Sequence, residues 1–554
     1  MEKGEYWEKV RQRRLSRRRL LKVGGLAGGL WLASALGCGT SSEQAKTGNT
    51  SGSGPTAVTT PQPKYGGTLK CATNADPRSL DPHIETADAS NITRGYNGLV
   101  TWNTEGTKII PDLAVSWEQP DDVTYVFKLN QGVKFHNVPP VNGRELTADD
   151  VKFSITRMMS TQPAGKFTHA SLFLGRLAKI DAVDKYTVKF TTTNPDVTFM
   201  SSMANVWTKI VAPEAVDKYG ELTEVIIGTG PFMLGKRDLG VETVMVRNPD
   251  YFKKGLPYLD AISVKIIPDP TTAATAFMSG DLDWTTPQAA ELDMIRKAMP
   301  NLPSKEGITM YPFVFRTQPY DDKRPLKPPV DDKRVRQALQ LAINRQECID
   351  TAAGGMAIPM VGIIPPDRQP WALPESDTIK QDVNKAKQLL AEAGYPNGFK
   401  AELLTQSTWV YSDLALVIKG QFAKIGVDVN VKTLEMAQYY NKIYTFDYAM
   451  NVHVMSGSEE PDEYISPYFS ATATYYRWGN LDLQKKIDDQ RKIMDQRKRI
   501  QAIHEIQRII QDEGCVAPVY ITKYVLLLQP RVRNFNRPWN QYNFAFEQEV
   551  WLAE

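Results

Sequence analysis

The 554-residue chain carries 66 Lys and Arg against 63 Asp and Glu, with 42% hydrophobic and 23% charged residues. This length exceeds what one hydrophobic core usually organises, so two or three domains are expected in a globular protein of ordinary composition. Residues 1–22 hold nine basic and three acidic residues, which leaves 57 basic and 60 acidic residues afterwards. The folded part is therefore slightly acidic, which argues against a nucleic-acid-binding protein with a concentrated positive patch.

The first 37 residues have the pattern of an export signal. Ser16 to Lys22 reads SRRRLLK, which matches the twin-arginine pattern, and the apolar run Val23 to Gly37 follows it. This run is shorter than the roughly 20 residues that a membrane-spanning helix needs. We therefore predict a twin-arginine-type signal peptide over residues 1–37 and an exported protein.

Cys38 directly follows this run and predicts a lipid anchor. Leu36-Gly37-Cys38 resembles the end of a lipoprotein cleavage box, with Ala35 where leucine is commonest. Residues 39–63 are rich in Gly, Ser, Thr and Pro, and they cannot bury enough apolar surface to fold. Residues 38–63 are thus predicted to be a lipidated cysteine and a flexible linker on the outer face of the cytoplasmic membrane, in the periplasm or at the cell surface. The alternative is a plain signal peptide with a chance cysteine.

The remaining cysteines and the histidines give no sign of a metal site or a disulfide scaffold. Cys71, Cys348 and Cys515 are too widely spaced for a CxxC motif, and we expect buried or free thiols. The five histidines stand singly, without HExxH, so neither a metal site nor a cofactor is expected. No G-x-S-x-G motif is present either. An exported hydrolase and a purely structural surface protein remain as alternatives from other classes.

Residues 111–154 have the clearest local pattern. Val123–Leu129 alternates apolar and polar residues as a half-buried strand does, and the turn residues after it let Val133–His136 return as its hairpin partner. Thr147 with Asp150 predicts a capping box at a helix start. Val151–Met158 then places apolar residues on one helical face.

Two later segments also show periodicity. Val183–Phe190 mostly alternates and predicts another strand. Asp332–Arg345 has apolar residues at i, i+3, i+4 and i+7, which predicts an amphipathic helix.

Ordered motifs along the chain resemble the family-five extracellular solute-binding proteins of ABC importers, which serve the uptake of peptides, nickel and oligosaccharides. The motifs are, in chain order, GGTL at Gly66, SLDP at Ser79, GVKFH at Gly132, GTGPF at Gly228, RNPDYF at Arg247, DKRVRQALQLAINR at Asp332, EAGYP at Glu392 and APVY at Ala517. The resemblance implies an α/β, two-lobed periplasmic-binding-protein-like fold with an extra inserted domain and a ligand cleft between the lobes. It places lobe 1 at residues 64–108, 229–325 and 518–554, the inserted domain at 109–228, and lobe 2 at 326–517.

The resemblance also suggests where the ligand binds. In oligopeptide-binding relatives the stretch after SLDP edges the cleft and pairs with the ligand as an added strand. Here this stretch is Glu85, Thr86, Ala87 and Asp88, for which a surface loop is the alternative. The candidate ligand-binding residues of lobe 2 are Trp409, Met436, Tyr439, His453, Glu459, Glu460, Arg477 and Trp478. For the aromatic residues the alternative is core packing, and for the acidic residues it is a solvated turn.

Two departures from the peptide-binding relatives bear on the ligand. Those relatives hold the peptide α-ammonium with an aspartate four residues before a loop proline, and Gly457 occupies that position here. Glu459 or Glu460 would have to supply the charge from a shifted position. Met436 stands where relatives have tryptophan, which makes the wall of the cleft more adaptable. Arg477 is a candidate for holding a carboxylate or phosphate.

The sequence therefore predicts an exported solute-binding lipoprotein that is not an enzyme. It would capture a peptide or similar small solute in an interlobe cleft and deliver it to ABC transporter permease subunits. An oligosaccharide or a nickel chelate is the alternative ligand. We expect a monomer that meets the membrane through its lipid anchor and binds no nucleic acid.

Overall fold

The computed structural model describes residues 62–85, 89–160, 173, 175–321, 324–407, 409–457, 459–471, 473, 476–536 and 546–553. In these ranges the protein is mixed α/β. Among them, no helix combines the length and the apolar character that crossing a bilayer requires.

The strands are numbered in chain order. They are β1 Thr68–Thr73, β2 Val100–Trp102, β3 Ile109–Pro111, β4 Ala114–Asp121, β5 Thr124–Leu129, β6 Leu177–Asp184, β7 Thr187–Thr192, β8 Phe232–Asp238, β9 Glu242–Arg247, β10 Ala261–Ile266, β11 Trp284–Thr285, β12 Ser304–Thr317, β13 Ala357–Pro359, β14 Lys400–Gln406, β15 Asp428–Leu434, β16 Met450–Val454, β17 Val516–Leu528, β18 Val532–Arg533 and β19 Trp551–Leu552.

The α-helices are numbered in the same way. They are α1 Ser90–Gly95, α2 Ala148–Met159, α3 Phe199–Met203, α4 Pro213–Tyr219, α5 Pro270–Met278, α6 Ala289–Ala298, α7 Lys333–Ala342, α8 Arg345–Ala352, α9 Val383–Glu392, α10 Trp409–Ala423, α11 Met436–Tyr444, α12 Ser466–Phe469, α13 Leu481–Gln490 and α14 Gln496–Glu513. Short 3₁₀ helices occur at Glu375–Asp377, Pro461–Tyr464 and Phe546–Glu549.

Three larger sheets organise the described elements, and β2-β3 and β18-β19 form two-stranded sheets. Strands β1-β10-β9-β8 form a sheet from predicted lobe 1, and strands β4-β5-β7-β6 form an antiparallel sheet from the predicted inserted domain. The largest sheet has the order β11-β17-β12-β16-β14-β15, with β13 paired to β17. Its long strands β12 and β17 run antiparallel, with Ser304 opposite Leu527 and Phe315 opposite Ala517. On one side β17 pairs with β11 of predicted lobe 1, and on the other side β12 pairs with β16 of predicted lobe 2. The two long strands therefore connect the two lobes.

Buried apolar residues form separate cores. One core joins side chains of the predicted lobe 1 and the inserted domain, such as Leu69 and Phe190. Another, with Leu339, Ile418 and Val452, lies wholly in residues 313–520. Each lobe thus has its own hydrophobic core, while the exact residue limits of the predicted domains stay a prediction.

The structure confirms the helical periodicities. The capping box of α2 is formed, since the backbone N–H of Thr147 donates to the carboxylate of Asp150 over 2.8 Å. The residues on the predicted core face of α7 are fully buried, as are those of α2; they are Val151, Ile155, Met158, Val335, Ala338, Leu339 and Ala342. Strand β5 is also confirmed, with Tyr125, Phe127 and Leu129 buried.

Two strand predictions are wrong. Val133–His136 does not return as the partner of β5, because β5 pairs with β4 on one edge and β7 on the other. Val183–Phe190 is not one strand, since the chain turns at Lys185 and Tyr186 between β6 and β7. The alternation within Val183–Phe190 does form strands, but a local turn at Lys185 and Tyr186 divides them. Val133–His136 forms no strand, and Lys134 makes an isolated bridge with Glu145.

His136 shows where the first of these segments goes instead. Its ring Nδ1 accepts a hydrogen bond from the backbone N–H of Gly228 over 3.3 Å, and its Nε2 donates to the carbonyl oxygen of Gly230 over 3.1 Å. The GVKFH motif is therefore hydrogen-bonded to the GTGPF motif. His136 and Gly228 are 92 residues apart in the chain. Complete burial lowers the pKa of His136 to about 4, with the backbone hydrogen bonds opposing the shift.

We expect stability to fall as the pH drops from about 6.5 toward 4. The unfolded chain binds a proton near the ordinary histidine pKa of about 6.5, whereas folded His136 binds it only near 4, so its contribution of about 3 kcal/mol is present above pH 6.5 and is lost below it. Urea unfolding at pH 7.5 and pH 4.5 measures this change, and His136→Gln should flatten the profile. His504→Gln, at a partly exposed position on α14, is the control. Equal free energies of unfolding at the two pH values would contradict the account.

Candidate functional site

The SLDP motif is held by a buried ion pair. The carboxylate of Asp81 accepts from both guanidinium nitrogens of Arg157 over 3.0 and 2.6 Å. It also accepts from the backbone N–H groups of His83 over 3.0 Å and Leu222 over 3.1 Å. Burial opposes the ionisation of Asp81, but the hydrogen bonds and the charge of Arg157 outweigh it and lower the carboxyl pKa. Because Arg157 lies on α2, this motif attaches the predicted lobe 1 to the inserted domain.

Glu85 belongs to the same buried loop. Its side chain is 1% exposed, and its Oε2 accepts from the backbone N–H of Ser79 over 2.8 Å. Thr86, Ala87 and Asp88 lie outside the described residues. That residues 85–88 edge the cleft stays a prediction. Glu85 itself is buried and hydrogen-bonded within its own loop.

Helix α11 separates buried from exposed aromatic residues. Tyr439 and Ile443 are fully buried, whereas Met436 and Tyr444 are 50% and 49% exposed. Tyr440 lies between the latter two at helical spacing, and its ring stacks on Tyr444 at 5.8 Å. We call Met436, Tyr440 and Tyr444 the α11 face.

Tyr439 and His453 form the layer behind this face. The Tyr439 hydroxyl donates to the carbonyl oxygen of Val452 over 2.6 Å and lies 2.9 Å from Nδ1 of His453. Burial raises the pKa of Tyr439, and burial together with the charge of Arg316 lowers the pKa of His453 well below its usual value. Both side chains are therefore neutral around pH 7. Trp409 begins α10, but its side chain lies outside the described residues.

The acidic segment of lobe 2 contacts the predicted inserted domain. The Oγ of Ser201 donates to Glu460 over 3.2 Å, and the side-chain amide of Asn205 donates to Glu463 over 3.1 Å. We call these two contacts the interlobe bridge. Glu460 also forms a buried ion pair with Arg499, with side chains 7% and 3% exposed. The carboxylate of Glu460 thus contacts both an arginine of its own lobe and a hydroxyl of the inserted domain.

Two further contacts lie beside the interlobe bridge. Glu459 lies against Gly106, whose φ of +65° and missing side chain allow the approach, since a Cβ there would stand 2.8 Å from Cγ of Glu459. The backbone N–H of Val197 donates to the carbonyl oxygen of Arg491 over 2.9 Å. The predicted ligand-binding residues Glu459 and Glu460 therefore lie where the two sides of the protein meet.

Arg477 and Trp478 contact charged groups near the predicted boundary between lobe 1 and lobe 2. Arg477 lies 3.3 Å from the carboxylate of Asp321, which offsets its charge. Trp478 is 2% exposed, and the guanidinium of Arg336 lies 4.9 Å from its ring. A cavity of about 490 Å³ adjoins Trp478 and is also lined by Tyr320 and Arg336.

Two arginines, Arg316 and Arg78, were not among the predicted ligand-binding residues. Arg316 is fully buried on β12, where its Nε donates to the side-chain oxygen of Asn451 over 3.1 Å. Arg78 is exposed on the loop before SLDP. Burial raises the pKa of Tyr440 and of Tyr444, and the charge of Arg78 opposes both shifts. A charged residue at the end of the apolar run of β12 was the available signal for Arg316. The sequence gives no signal that relates Arg78 to α11, because the two are more than 350 residues apart.

The His, Cys, Asp and Glu side chains within the ranges described form no candidate metal site. No group of three or more His, Cys, Asp or Glu side chains there could hold a metal ion. Cys71, Cys348 and Cys515 are buried. Burial raises the pKa of Cys348 and of Cys515 to about 12, so both stay protonated and unreactive.

Lobes with separate cores that meet through the interlobe bridge give the architecture of a two-lobed binding protein. A profile of bacterial extracellular solute-binding proteins, family 5 (middle region), matches residues 108–476. The chain belongs to this family. The predicted family and fold class are thereby confirmed, and the members are solute-binding proteins rather than enzymes.

Named relatives share most of the chain. Heme-binding protein A of Haemophilus influenzae is 29% identical over 471 residues, which covers 79% of this chain and 84% of the relative. Di/tripeptide-binding protein 1 of Pseudomonas aeruginosa is 27% identical over 490 residues, covering 82% and 89%. The structure of the periplasmic binding protein DppA from Helicobacter pylori, in complex with the peptide STSA, is similar with a TM-score of 0.77 at 26% identity, covering 89% of this chain and 99% of that one.

We expect Asn205→Asp to weaken the interlobe bridge. The new carboxylate would face Glu463, and two unit charges about 4 Å apart in water repel by about 1 kcal/mol, roughly a fivefold change in an equilibrium. Small-angle X-ray scattering should show a larger radius of gyration for this variant without solute. Asn194→Asp, at an exposed position of the inserted domain, is the matched control. An unchanged radius for Asn205→Asp would rule out a role of the bridge in holding the lobes together.

Proposed function

We propose that this protein captures a peptide or similar small solute between its lobes and delivers it to an ABC transporter permease. The observation that carries the proposal is that the acidic segment of lobe 2 meets the inserted domain at the interlobe bridge, where Ser201 donates to Glu460 and Asn205 donates to Glu463. Solute-binding proteins of this architecture enclose ligands between lobes, against aromatic walls with a few fixed polar groups.

A peptide is the preferred solute. Two of the similar proteins carry peptide in their names or are bound to one, and the family match covers the region that includes α11 and the acidic segment. Gly457 replaces the aspartate that holds the α-ammonium in peptide-binding relatives, so this protein would anchor a peptide by other groups. An oligosaccharide is the second candidate, because the stacked rings of Tyr440 and Tyr444 offer the kind of surface on which sugars stack.

Export and anchoring complete the proposal. Residues 1–37 would direct export through the twin-arginine route, and Cys38 would carry the lipid that holds the protein on the outer face of the membrane. Residues 39–63 would give the folded part reach toward both diffusing solute and the permease.

The experiment is native mass spectrometry and thermal unfolding of protein purified from membranes. A mass shift from copurified peptides is expected, and an added tripeptide mixture at a hundredfold excess over its dissociation constant should stabilise the fold by about 2.7 kcal/mol. The same spectrum should show a diacylglyceryl group on Cys38. A single copurified ligand with the mass of a sugar would identify an oligosaccharide as the solute instead of a peptide. Turnover of peptides would identify a hydrolase. No stabilisation by any solute would contradict a binding function altogether.

A further inference from the structure

The cavity of about 490 Å³ that adjoins Trp478 lies between three helix ends of lobe 2. It adjoins the starts of α7 and α13 and the end of α14, and its lining residues fall within 320–336 and 478–482 and at 513. The interlobe bridge, in contrast, joins residues 201 and 205 to residues 460 and 463. The cavity is therefore built from residues other than those of the bridge.

The inner wall of this cavity contains a fixed arginine. The guanidinium of Arg336 donates to the carbonyl oxygens of Val330 and Asp331 and to the carboxylate of Glu513, each over 3.0 Å. Its Cζ lies 4.9 Å from the centre of the Trp478 ring, which is 2% exposed. Arg336 is therefore neutralised by Glu513 and held in place by backbone groups.

Tyr320 supplies the aromatic part of the wall. Its backbone N–H donates to the carbonyl oxygen of Arg477 over 3.1 Å, and its carbonyl oxygen accepts from the backbone N–H of Gly479 over 2.8 Å. Its ring meets the Trp478 ring edge-on, with 5.7 Å between their centres. Leu326 and Leu481 also line the cavity, which therefore offers a small apolar surface whose aromatic part is fixed.

Two carboxylates at the cavity have no cationic partner in the described part of the chain. Asp482 is exposed on the first turn of α13, and no described residue forms a hydrogen bond or an ion pair with its carboxylate. The carboxylate of Asp331 accepts from the backbone N–H of Asp332 over 3.0 Å. Acidic residues are common at helix starts, so neither residue alone indicates a site. Here, however, both line one cavity with an apolar wall.

The charges of the lining favour a cation. The carboxylates of Asp331, Asp482 and Glu513 outnumber the single guanidinium of Arg336. The starts of α7 and α13 each contribute about half a positive charge, and the end of α14 contributes about half a negative charge, so the helix ends offset only part of this excess. No group of three carboxylate, histidine or cysteine side chains in the described ranges could hold a metal ion. An organic cation therefore fits the cavity better than a metal ion.

We propose that this cavity binds a small organic amine, whose ammonium group is held by the carboxylates of Asp331 and Asp482 and whose apolar part packs on Tyr320, Leu326 and Leu481. An ammonium group has three hydrogen-bond donors and no acceptor, which suits two carboxylates that lack a cationic partner. The face of the Tyr320 ring adds attraction for a cation. This site is additional to the solute site proposed between the lobes.

The test is isothermal titration of the purified full chain with hexylamine, 1-hexanol and hexanoate, which share the same hydrocarbon part and differ in charge. Hexylamine is expected to bind about tenfold more tightly than 1-hexanol, and hexanoate more weakly than either. Asp482→Asn should weaken binding of hexylamine about fivefold and leave binding of 1-hexanol within about twofold. Asp488→Asn, at an exposed position of α13 outside the cavity lining, is the matched control and should leave both affinities unchanged.

The outcomes separate this site from the one between the lobes. Equal affinity for hexylamine and 1-hexanol overturns the inference, as does equal binding of hexylamine by Asp482→Asn and Asp488→Asn. Unchanged binding of hexylamine in the presence of a saturating tripeptide mixture supports a separate site, whereas competition between them overturns it. If the protein binds hexylamine and no tripeptide, the proposed peptide capture fails and this inference stands.

Discussion

The buried carboxylate of Asp81 is the contact on which the arrangement of lobe 1 depends. It is completely buried, and it is satisfied by Arg157 of the inserted domain and by backbone N–H groups on both sides. Removing one partner of such a pair leaves an uncompensated charge and typically costs about 3–5 kcal/mol. The pair therefore fixes the loop of residues 76–85 relative to α2.

The inserted domain and lobe 2 meet through the polar contacts of the interlobe bridge, which suits the proposed capture of a solute between the lobes. Ser201 and Asn205 contribute neutral donors, and Glu460 and Glu463 accept from them. Such hydrogen bonds add only about 0.5–1.5 kcal/mol each, or up to about 3 kcal/mol when one partner is charged. A few contacts of this strength hold two lobes together without making their separation prohibitive. Solute bound between the lobes would add to them and shift the equilibrium toward the closed state.

Local pattern predicted much of this fold and less of the site. The apolar stripes of α2 and α7 and the alternation of β5 depend on neighbours in sequence, and they were predicted correctly. The motifs identified the family. The partner of β5 and the position of His136 depend on contacts between distant segments, which one sequence does not reveal. The turn between β6 and β7 is local, since the backbone N–H of Tyr186 donates to the carboxylate of Asp184 over 2.8 Å, and the alternation of apolar residues alone does not show it. Glu460 illustrates the limit, because its acidic neighbourhood suggested ligand binding while its contacts with Arg499 and Ser201 come from residues up to 259 positions away.

The central claim is that solute draws the two lobes together, and an interlobe distance tests it most directly. Asp217 of α4 and Lys387 of α9 are exposed, so spin labels can be attached to the substitutions Asp217→Cys and Lys387→Cys. Cys38→Ser removes a competing thiol, and the three other native cysteines are buried. Pulsed electron paramagnetic resonance then gives the distance distribution with and without the tripeptide mixture. We predict a shift to shorter distances and a narrower distribution when the mixture binds. An unchanged distribution under conditions where binding is demonstrated would contradict capture between the lobes.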